Sequence, residues 1–416
     1  MSGNYIGLLG IVVILGIAYL LSGNRKAVNL RIVGAAFALQ AAIAAFVIYS
    51  ETGKSMIDSM SNGVQHVMNY SRAGTEFLFG GLAVEGGHPL FSFAIGVLPI
   101  IVFFSALMSV LYHLKIMQII VKLVGGALRW IIGTRAVESL NAAANIFIGQ
   151  TESPLVVRPY LKGLTEPQLF AVMVSGVASV AGTVLLAYVQ MGAELKYLLA
   201  ASFMAAPGGL LMAKIIMPDD RVESAKEDDE HLTMEDSPHV NVILAAAVGA
   251  KDGLMLAVNI GAMLIAFIAL IALFNGIVGG IAGLIRLDDL LGVETLTLQV
   301  ILGWIFSPIM YVLSVPWAET QAAGSLFGEK LILNEFVAYS HLNDYLAGMS
   351  ERTRAVVTFS LCGFANLSSI AILLGGLGSL VPEKKDLIAK FGLKAVAAGS
   401  LSNLMSAALA GLLLTF

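Results

Sequence analysis

Two short polar stretches interrupt an otherwise apolar sequence, and each of them contains one glutamate. The first is residues 149–154 (GQTESP) and the second is residues 333–337 (LNEFV), so Glu335 follows Glu152 by about 183 residues. A carboxylate at membrane depth costs roughly 2.5–3.5 kcal/mol on insertion scales, so it should face a cavity or the protein interior. The two stretches therefore indicate a site where amide, hydroxyl and carboxylate groups bind a polar solute inside the membrane.

The composition of the chain is that of a polytopic membrane protein. Of its 416 residues, 58% are hydrophobic and 12% are charged, and the mean hydropathy is +0.86. A soluble domain carries about 25% charged residues. The single cysteine, Cys362, excludes an internal disulfide and a cysteine-based metal site, and the six histidines have no ligand spacing. The sequence also has no phosphate-binding loop, which argues against direct coupling to ATP hydrolysis.

The apolar runs predict an all-α protein that spans the membrane eight times. The predicted spans lie near residues 5–22, 28–49, 90–112, 166–190, 196–217, 254–284, 354–380 and 393–415. Between them, residues 135–161 (hairpin 1) and 318–345 (hairpin 2) are too polar at the middle to cross, and we interpret them as two opposed re-entrant hairpins. Non-helical backbone of this kind is tolerated in a membrane only where protein or water surrounds it.

The distribution of basic residues predicts the orientation of these spans. Arg25, Lys26 and Arg31 place the loop after the first span in the cytoplasm, which leaves both termini outside. The first span lacks a basic leader and a small-residue cleavage site, so we expect it to be retained. Residues 51–88 predict an amphipathic helix on the outer surface. The acidic stretch at 221–238 is expected to be a solvated cytoplasmic linker.

Matching blocks in the two halves of the chain predict an inverted repeat. Residues 117–120 (MQII) resemble 298–301 (LQVI), and residues 176–182 (GVASVAG) match 363–369 (GFANLSS). Glu138 corresponds to Glu319 at the predicted hairpin bases, where we expect both to be solvated. Inverted repeats with broken helices are typical of secondary transporters, which hold their substrate near the membrane midplane. Close helix packing is the alternative explanation for the small residues in these blocks.

The sequence resembles the concentrative nucleoside transporter family. The resemblance rests on residues 149–154 with 158–161 (RPYL), on 328–339 (GEKLILNEFVAY) and on 362–369 (CGFANLSS), and it extends from the first span to the last. It implies a bacterial inner-membrane protein with eight spans. It also implies a homotrimer in which a scaffold holds three moving transport domains.

The resemblance further implies which residues bind the substrate and the coupling ion. The substrate-binding residues carried onto this chain are Gln150, Thr151, Glu152 and Val184 for the nucleobase, and Glu335, Phe364, Asn366 and Ser369 for the ribose. The residues implied for sodium, partly through backbone carbonyls, are Asn145, Ile148, Ser179 and Val180.

The residue types agree with these implied roles. An ionised Glu335 would accept charge-assisted hydrogen bonds from ribose hydroxyls, and Gln150 offers a donor and an acceptor to the amide-like edge of a base. Phe364 supplies an apolar face. Lys330 precedes Glu335 by one and a half helical turns, so it could neutralise a carboxylate or extend its ammonium group to the membrane interface.

The predicted organisation has five parts. They are residues 1–112 (scaffold spans 1–3 with the outer amphipathic helix), 113–217 (transport repeat 1, with hairpin 1 and spans 4–5), 218–253 (the cytoplasmic acidic linker and an inner helix), 254–295 (scaffold span 6) and 296–416 (transport repeat 2, with hairpin 2 and spans 7–8).

The leading hypothesis is a secondary active transporter that imports uridine-like nucleosides with sodium by an elevator-like mechanism. Its expected partners are the nucleoside, the lipid bilayer and two further copies of the chain, with no nucleic acid. The same fold coupled to protons through Glu152 or Glu335 is the nearest alternative. An intramembrane hydrolase would need a Ser–His pair or a histidine metal cluster in the spans, and a channel would need a selectivity filter. The sequence offers none of these.

Overall fold

A computed structural model describes residues 4–83, 93–219 and 239–414 of the protein, and every regular element in these ranges is helical. The all-α prediction is therefore confirmed, and the acidic stretch at 221–238 lies outside the described residues. The α-helices are α1 Asn4–Leu20, α2 Leu30–Tyr49, α3 Glu51–Phe79, α4 Phe93–Gly96, α5 Leu98–His113, α6 Ile116–Ile132, α7 Ala136–Ala144, α8 Ser153–Val156, α9 Glu166–Ala178, α10 Gly182–Gln190, α11 Leu195–Ile216, α12 Val242–Leu284, α13 Leu287–Leu291, α14 Leu298–Val312, α15 Thr320–Ile332, α16 Glu335–Leu346, α17 Glu351–Leu361, α18 Ser368–Gly375, α19 Leu377–Leu380 and α20 Lys385–Leu413.

Six helical stretches within the described ranges are long and apolar enough to cross a membrane. They are Leu30–Tyr49, Ala94–His113, Glu166–Gln190, Leu195–Ile216, Val242–Leu284 and Pro382–Leu413. Each overlaps a predicted span. The remaining two predicted spans correspond to the shorter apolar helices Ile6–Leu20 and Ser368–Leu380, so the total of eight stays a prediction.

Both polar stretches interrupt helices, as the sequence predicts. In hairpin 1, α7 ends at Ala144 and α8 begins at Ser153, with Pro154 in its first turn, where a missing N–H breaks no helical hydrogen bond. In hairpin 2, α15 ends at Ile332 and α16 begins at Glu335. The Asn334 side chain caps α16 by accepting a hydrogen bond from the Val337 N–H at 3.0 Å.

The spans that follow the hairpins are broken in equivalent ways. The break between α9 and α10 contacts hairpin 1, where the Gly182 N–H donates to the Phe147 carbonyl at 3.0 Å. The break between α17 and α18 contacts hairpin 2, where the Leu367 N–H donates to the Leu331 carbonyl at 3.1 Å. The predicted internal repeat therefore has a structural counterpart, because each break is bonded to the hairpin that precedes it.

The helices outside the hairpins make two main sets of contacts. Helices α1 and α2 pack against α20 and α11, which belong to the two repeats. Helix α5 packs instead along α12, and the approach is close, since a Cβ atom at Gly249 or Gly253 would lie 2.6 or 2.7 Å from a serine Cβ on α5. Small residues permit such close helix packing in membranes.

Helix α12 contains 43 residues and begins at Val242, twelve residues before the predicted start of span 6 at 254. The exposed charges of Lys251 and Asp252 explain the difference. Two charged residues lower the local hydropathy and so place the predicted boundary after them, although they do not interrupt the helix.

The expectation that Glu138 is solvated is wrong. Its side chain is 0% exposed, and Oε1 lies 2.6 Å from the Lys214 ammonium on α11, which also pairs with Asp219 at 2.7 Å. The second oxygen, Oε2, accepts a hydrogen bond from the Arg135 N–H at the start of α7. An ion pair in this position ties hairpin 1 to span 5.

Its counterpart Glu319 is only partly buried and lies beside the end of hairpin 2. The carboxylate accepts hydrogen bonds from the Ser350 N–H and hydroxyl, both at 2.9 Å. Burial acts to raise the pKa of Glu319, but hydrogen bonds from Thr353 and Ser350 outweigh it and lower the pKa below its ordinary value. Glu319 is therefore an anchor for the start of α17 as well as a partly solvated group.

Candidate functional site

The Glu335 carboxylate is the centre of the site and is held by two side chains. It is 3% exposed at the start of α16. Its Oε1 accepts a hydrogen bond from the Tyr188 hydroxyl at 3.2 Å, and its Oε2 accepts one from the Asn366 amide at 3.0 Å. Tyr188 belongs to repeat 1 and Asn366 to repeat 2, so the carboxylate lies where the two repeats meet. Each oxygen keeps a lone pair for a ligand.

The break between α17 and α18 fixes the other predicted ribose contacts. The Asn366 Oδ1 accepts hydrogen bonds from the Ser369 N–H at 2.9 Å and the Ser368 hydroxyl at 2.7 Å. The Ser369 hydroxyl donates to the Phe364 carbonyl. These bonds hold the first turn of α18 and leave the Phe364 ring half-buried, where it can form an apolar wall.

Gln150 joins the two repeats on the predicted nucleobase side. Its Nε2 donates to the Ser369 hydroxyl at 3.4 Å, and the residue is 5% exposed. Its Oε1 is buried and accepts no hydrogen bond from any described residue. An unpaired buried acceptor is costly, so this oxygen is suited to a donor on a ligand. Val184 is fully buried one turn before Tyr188 on α10.

Thr151 and Glu152 lie at the exposed tip of hairpin 1 and do not join this hydrogen-bonded cluster. Thr151 lies close to Gly376, since a Cβ added at Gly376 would come within 2.9 Å of the Thr151 methyl group. The Glu152 N–H donates to the Gly149 carbonyl at 3.1 Å, which turns the chain into α8. The structure therefore brings Gln150, but not Glu152, into contact with the ribose side.

The residues predicted to bind sodium supply neutral oxygens. Asn145 and Ser179 are buried, and the Asn145 Oδ1 is a buried acceptor without a partner in the described ranges. The Asn145 amide donates to the Asn141 carbonyl at 3.0 Å, which orients Oδ1. Neither the Ile148 carbonyl nor the Val180 carbonyl accepts a backbone hydrogen bond outside the regular helices of these ranges. Such a set of oxygens fits a hard cation.

Sequence reasoning missed two residues of this region, Tyr188 and Asn403. Tyr188 is fully buried, and its ring stacks on that of Tyr339 at 4.3 Å. Its spacing of four residues from Val184 places both on one helical face, which is a signal that could have identified it. Asn403 donates from Nδ2 to the carbonyls of Ala178 at 2.7 Å and Cys362 at 2.9 Å. An amide within the apolar last span was the corresponding signal.

Of the two interpretations of Lys330 from the sequence, extension to the membrane interface is wrong, and neutralisation of a carboxylate stays a prediction. Lys330 and Glu335 lie on separate helices, α15 and α16, so helical spacing does not pair them. The Lys330 side chain is 0% exposed, which excludes extension to the interface. Its Nζ donates to the Asn403 Oδ1 at 3.0 Å and lies 5.6 Å from the centre of the Phe327 ring.

Removing the Tyr188 hydroxyl tests the role of this missed residue. A hydrogen bond to a charged group contributes about 1.5–3 kcal/mol, so we expect Tyr188→Phe to weaken ligand binding about tenfold or more. The measurement is the dissociation constant of a ligand of this site, by calorimetry. Tyr197→Phe, which removes a hydroxyl bonded to Glu351 at 3.2 Å outside the site, is the control. Equal affinities for the two variants would contradict this role.

Comparison with known protein families covers most of the chain. A model described as "Na+ dependent nucleoside transporter N-terminus" matches residues 9–82, and its C-terminal counterpart matches residues 197–411. A third model, described as "Nucleoside recognition", matches residues 94–195, which include hairpin 1 and the first broken span.

Individual proteins are similar over nearly the full length. The nucleoside permease NupC of Helicobacter pylori is 48% identical over 412 residues, which cover 97% of this chain and 96% of that protein. The structure of CNTnw in an inward-facing substrate-bound state is 50% identical with a TM-score of 0.93, and it covers 100% of this chain and 99% of that one. A doubly substituted form of CNTnw in an outward-facing state is 49% identical with a TM-score of 0.90, and covers 99% and 98%.

Proposed function

Because the chain belongs to the sodium-dependent, concentrative nucleoside transporter family, we propose that it imports nucleosides by symport with sodium. The observation that carries this proposal is that Gln150 of repeat 1 and Glu335 of repeat 2 both bond to the break between α17 and α18, through Ser369 and Asn366 respectively. One side of the site offers an unpartnered amide oxygen, and the other offers a carboxylate oriented by Tyr188 and Asn366. The protein is not an enzyme, and in a bacterium its place is the inner membrane.

The chemistry of the two sides suits the two parts of a nucleoside. A nucleobase presents N–H donors and an aromatic face, which match the Gln150 Oε1 and the apolar side chain of Val184. A ribose presents hydroxyl donors, which match the lone pairs that remain on Glu335. Anionic substrates such as nucleotides are disfavoured, because the buried charge that faces the site is negative. We therefore choose uridine as the first test substrate.

Sodium is the coupling ion that we propose, and Asn145, Ile148, Ser179 and Val180 would hold it. The support is the buried, unpartnered Oδ1 of Asn145, together with Ile148 and Val180 carbonyls that accept no backbone hydrogen bond outside the regular helices of the described ranges. A bound cation would supply positive charge between hairpin 1 and the first break, next to Gln150. The alternative is proton coupling through Glu152 or Glu335, the carboxylates of the two polar stretches.

We infer that the two repeats move as one body relative to α5 and α12. The support is the packing, because α1 and α2 lie against α11 and α20, whereas the most extensive contact of α5 is with α12 and its contacts with α10 and α6 are smaller. This assignment moves the first two spans from the scaffold of the predicted organisation to the moving part. An elevator-like motion of this body, within a homotrimer held together by the scaffold, would carry the site across the membrane. The inward-facing and outward-facing states of CNTnw are consistent with it.

Uptake into proteoliposomes tests the proposal. Radiolabelled uridine is offered with an inward sodium gradient, with an inward proton gradient, or with neither. We expect accumulation above the external concentration with sodium alone. Accumulation driven only by protons would replace sodium with protons as the coupling ion. Chemical alteration of the uridine would contradict a transporter, and equilibration without accumulation would indicate a channel.

The sodium site has its own prediction. Asn145→Ala removes the unpartnered Oδ1, so we expect the sodium concentration for half-maximal uptake to rise at least tenfold, or about 1.4 kcal/mol. At saturating sodium, the apparent affinity for uridine should return to within a few-fold of the wild-type value. The measurement is uridine uptake over a series of sodium concentrations. Ser379→Ala, an exposed polar truncation on α19, is the control.

A further inference from the structure

A histidine and a buried glutamate join the two arms of hairpin 2, outside the predicted substrate site. Glu329 lies on α15 with a side chain that is 0% exposed, and His341 lies on α16. The His341 Nδ1 is 3.0 Å from each carboxylate oxygen, and it is the donor because an ionised carboxylate only accepts. The histidine side chain is 24% exposed, so a proton from solvent can reach the ring. The two arms are therefore joined by a bond whose charge can change with pH.

Glu329 is held in place by a chain of neutral hydrogen bonds from α14 and α12. Gln299 on α14 donates from Nε2 to the Glu329 Oε1 at 2.7 Å. Asn275 on α12 donates in turn to the Gln299 Oε1 at 3.0 Å, and it accepts from the Leu298 N–H at 2.7 Å. Each donor in this chain points towards the carboxylate, which orients the amides. Glu329 is thus an anchored acceptor, and His341 is the group that holds α16 against it.

Few other charges face this pair. Asp344 and Tyr345 follow His341 by three and four residues on the same face of α16. Helix α12 has no charged residue after Asp252, and α14 has none. The Lys330 ammonium bonds to Asn403 instead. The charged residues of α17 face Tyr197, Glu319 and the carbonyls at the end of α16; they are Glu351, Arg352 and Arg354. Glu329 is therefore the main partner of a protonated His341, and the acidic Asp344 acts in the same direction.

Helix α16 connects this pair to the substrate site. Glu335 is the first residue of the helix, and His341 follows it within the same 12-residue helix. The position of the Glu335 carboxylate therefore depends on how α16 lies against α15. A site that is already held in its bound geometry loses less freedom when a ligand binds, so it binds that ligand more tightly.

We propose that His341 and Glu329 are positioning residues for nucleoside binding. Protonation of His341 pairs two opposite charges across hairpin 2, and this pairing holds α16 and Glu335 in the geometry that binds the ribose. The affinity for the nucleoside then rises as the pH falls through the range in which histidines titrate, about pH 5 to 8. A bound nucleoside favours protonation in turn, because linkage is reciprocal. This inference rests on the proposed function and adds regulation by pH to the same site.

Equilibrium binding is the first test. The dissociation constant of uridine is measured by calorimetry in detergent, with saturating sodium, at pH 6 and at pH 8. Charge-assisted hydrogen bonds are roughly twice as strong as neutral ones, so we expect the wild type to bind about threefold to tenfold more tightly at pH 6. His341→Gln keeps a donor but cannot be protonated, so its affinity should be equal at the two pH values.

The matched control makes the same change at a distant histidine. His66→Gln alters an exposed side chain of α3 and should keep the wild-type difference between pH 6 and pH 8. The inference would be overturned by a wild type that binds equally or more weakly at pH 6. It would also be overturned by a His341→Gln protein that keeps the wild-type difference.

Proton uptake is a readout that a purely structural role would not change. The heat of uridine binding is measured at pH 7 in two buffers with different enthalpies of ionisation, which gives the number of protons bound with the ligand. We expect the wild type to take up a fraction of one proton per uridine, and His341→Gln and Glu329→Gln to take up none. Glu329→Gln is also the second variant if His341→Gln does not fold. Wild-type uptake retained in either folded variant would place the proton on another group and overturn the inference.

Thermal stability separates this inference from the proposed function. Failure of the wild type to bind or accumulate any nucleoside would contradict the proposed function, and the apparent Tm without ligand then decides the inference. The charged pair stabilises the folded protein only when His341 is protonated. Lowering the pH from 8 to 6 should therefore raise the apparent Tm of the wild type relative to that of His341→Gln. Equal shifts in the two proteins would overturn the inference.

Discussion

Glu335→Gln should reduce the affinity for uridine about 100-fold and abolish measurable accumulation. The carboxylate accepts from the Tyr188 hydroxyl and the Asn366 amide, both of which are donors. A glutamine in this place would put its amide N–H group against either the Tyr188 hydroxyl or the Asn366 amide, which are themselves donors. It would also lack the charge that strengthens the hydrogen bonds to ribose. Loss of about 3 kcal/mol corresponds to roughly 100-fold in affinity. Uridine binding is measured by calorimetry and uptake in proteoliposomes.

The Glu335→Gln substitution preserves side-chain volume, and the chain offers a matched control for it. Glutamine has nearly the volume of glutamate, so packing around α16 should be kept and the apparent Tm should change little. The control is Glu383→Gln, which makes the same change at an exposed carboxylate paired with Lys162 at 3.5 Å. Uptake by Glu335→Gln within threefold of the control would show that the carboxylate does not bind the substrate, and would contradict the proposed ribose contact.

The second large effect is on stability and comes from Lys214→Met. Lys214 is 3% exposed and Glu138 is 0% exposed, so removal of the ammonium group leaves a buried carboxylate without its cation. Breaking a buried ion pair from one side typically costs about 3–5 kcal/mol, because the remaining charge is uncompensated. We expect a clearly lower apparent Tm in detergent, with hairpin 1 loosened at its base and uptake reduced.

A double variant distinguishes the effect of losing the ion pair from the effect of losing the lysine side chain. Glu138→Gln combined with Lys214→Met removes both charges, and it should recover most of the stability lost in the single variant. Lys162→Met, which breaks the exposed pair with Glu383, should change the free energy of unfolding by less than about 1 kcal/mol. A double variant as unstable as Lys214→Met would show that methionine packing at position 214, and not the charge, causes the loss.

The sequence predicts the positions of the breaks well, and the reason is physical. Gln150, Glu335 and Asn366 are polar groups in apolar surroundings, and burial of such groups without partners is too costly to be incidental. Proline and glycine near them mark where the helices stop. All three are therefore visible without any knowledge of tertiary contacts, and the structure places them together.

What the sequence does not predict depends on partners distant along the chain. Asn403 meets both broken spans, and Glu138 meets Lys214 across 76 residues. From the sequence alone, each of these groups would be interpreted as solvated or as having no specific role, because its partner belongs to another element. Lys330 is the clearest case, since its spacing to Glu335 suggested a helical pair, whereas the observed bond crosses to α20.

One backbone hydrogen bond has a thermodynamic consequence. The Phe364 N–H donates to the Ser179 carbonyl at 3.0 Å, so the peptide that precedes the ribose-side break is joined to a residue of the proposed ion site. If a cation at Ser179 favours nucleoside binding by some free energy, the nucleoside must favour cation binding by the same free energy, because linkage between two binding equilibria is reciprocal. A nucleoside that retains its ribose should raise the affinity of the protein for sodium. The factor should equal that by which sodium raises the affinity of the protein for this nucleoside. A free nucleobase, which cannot reach Phe364 or Glu335 through a sugar, should raise it less.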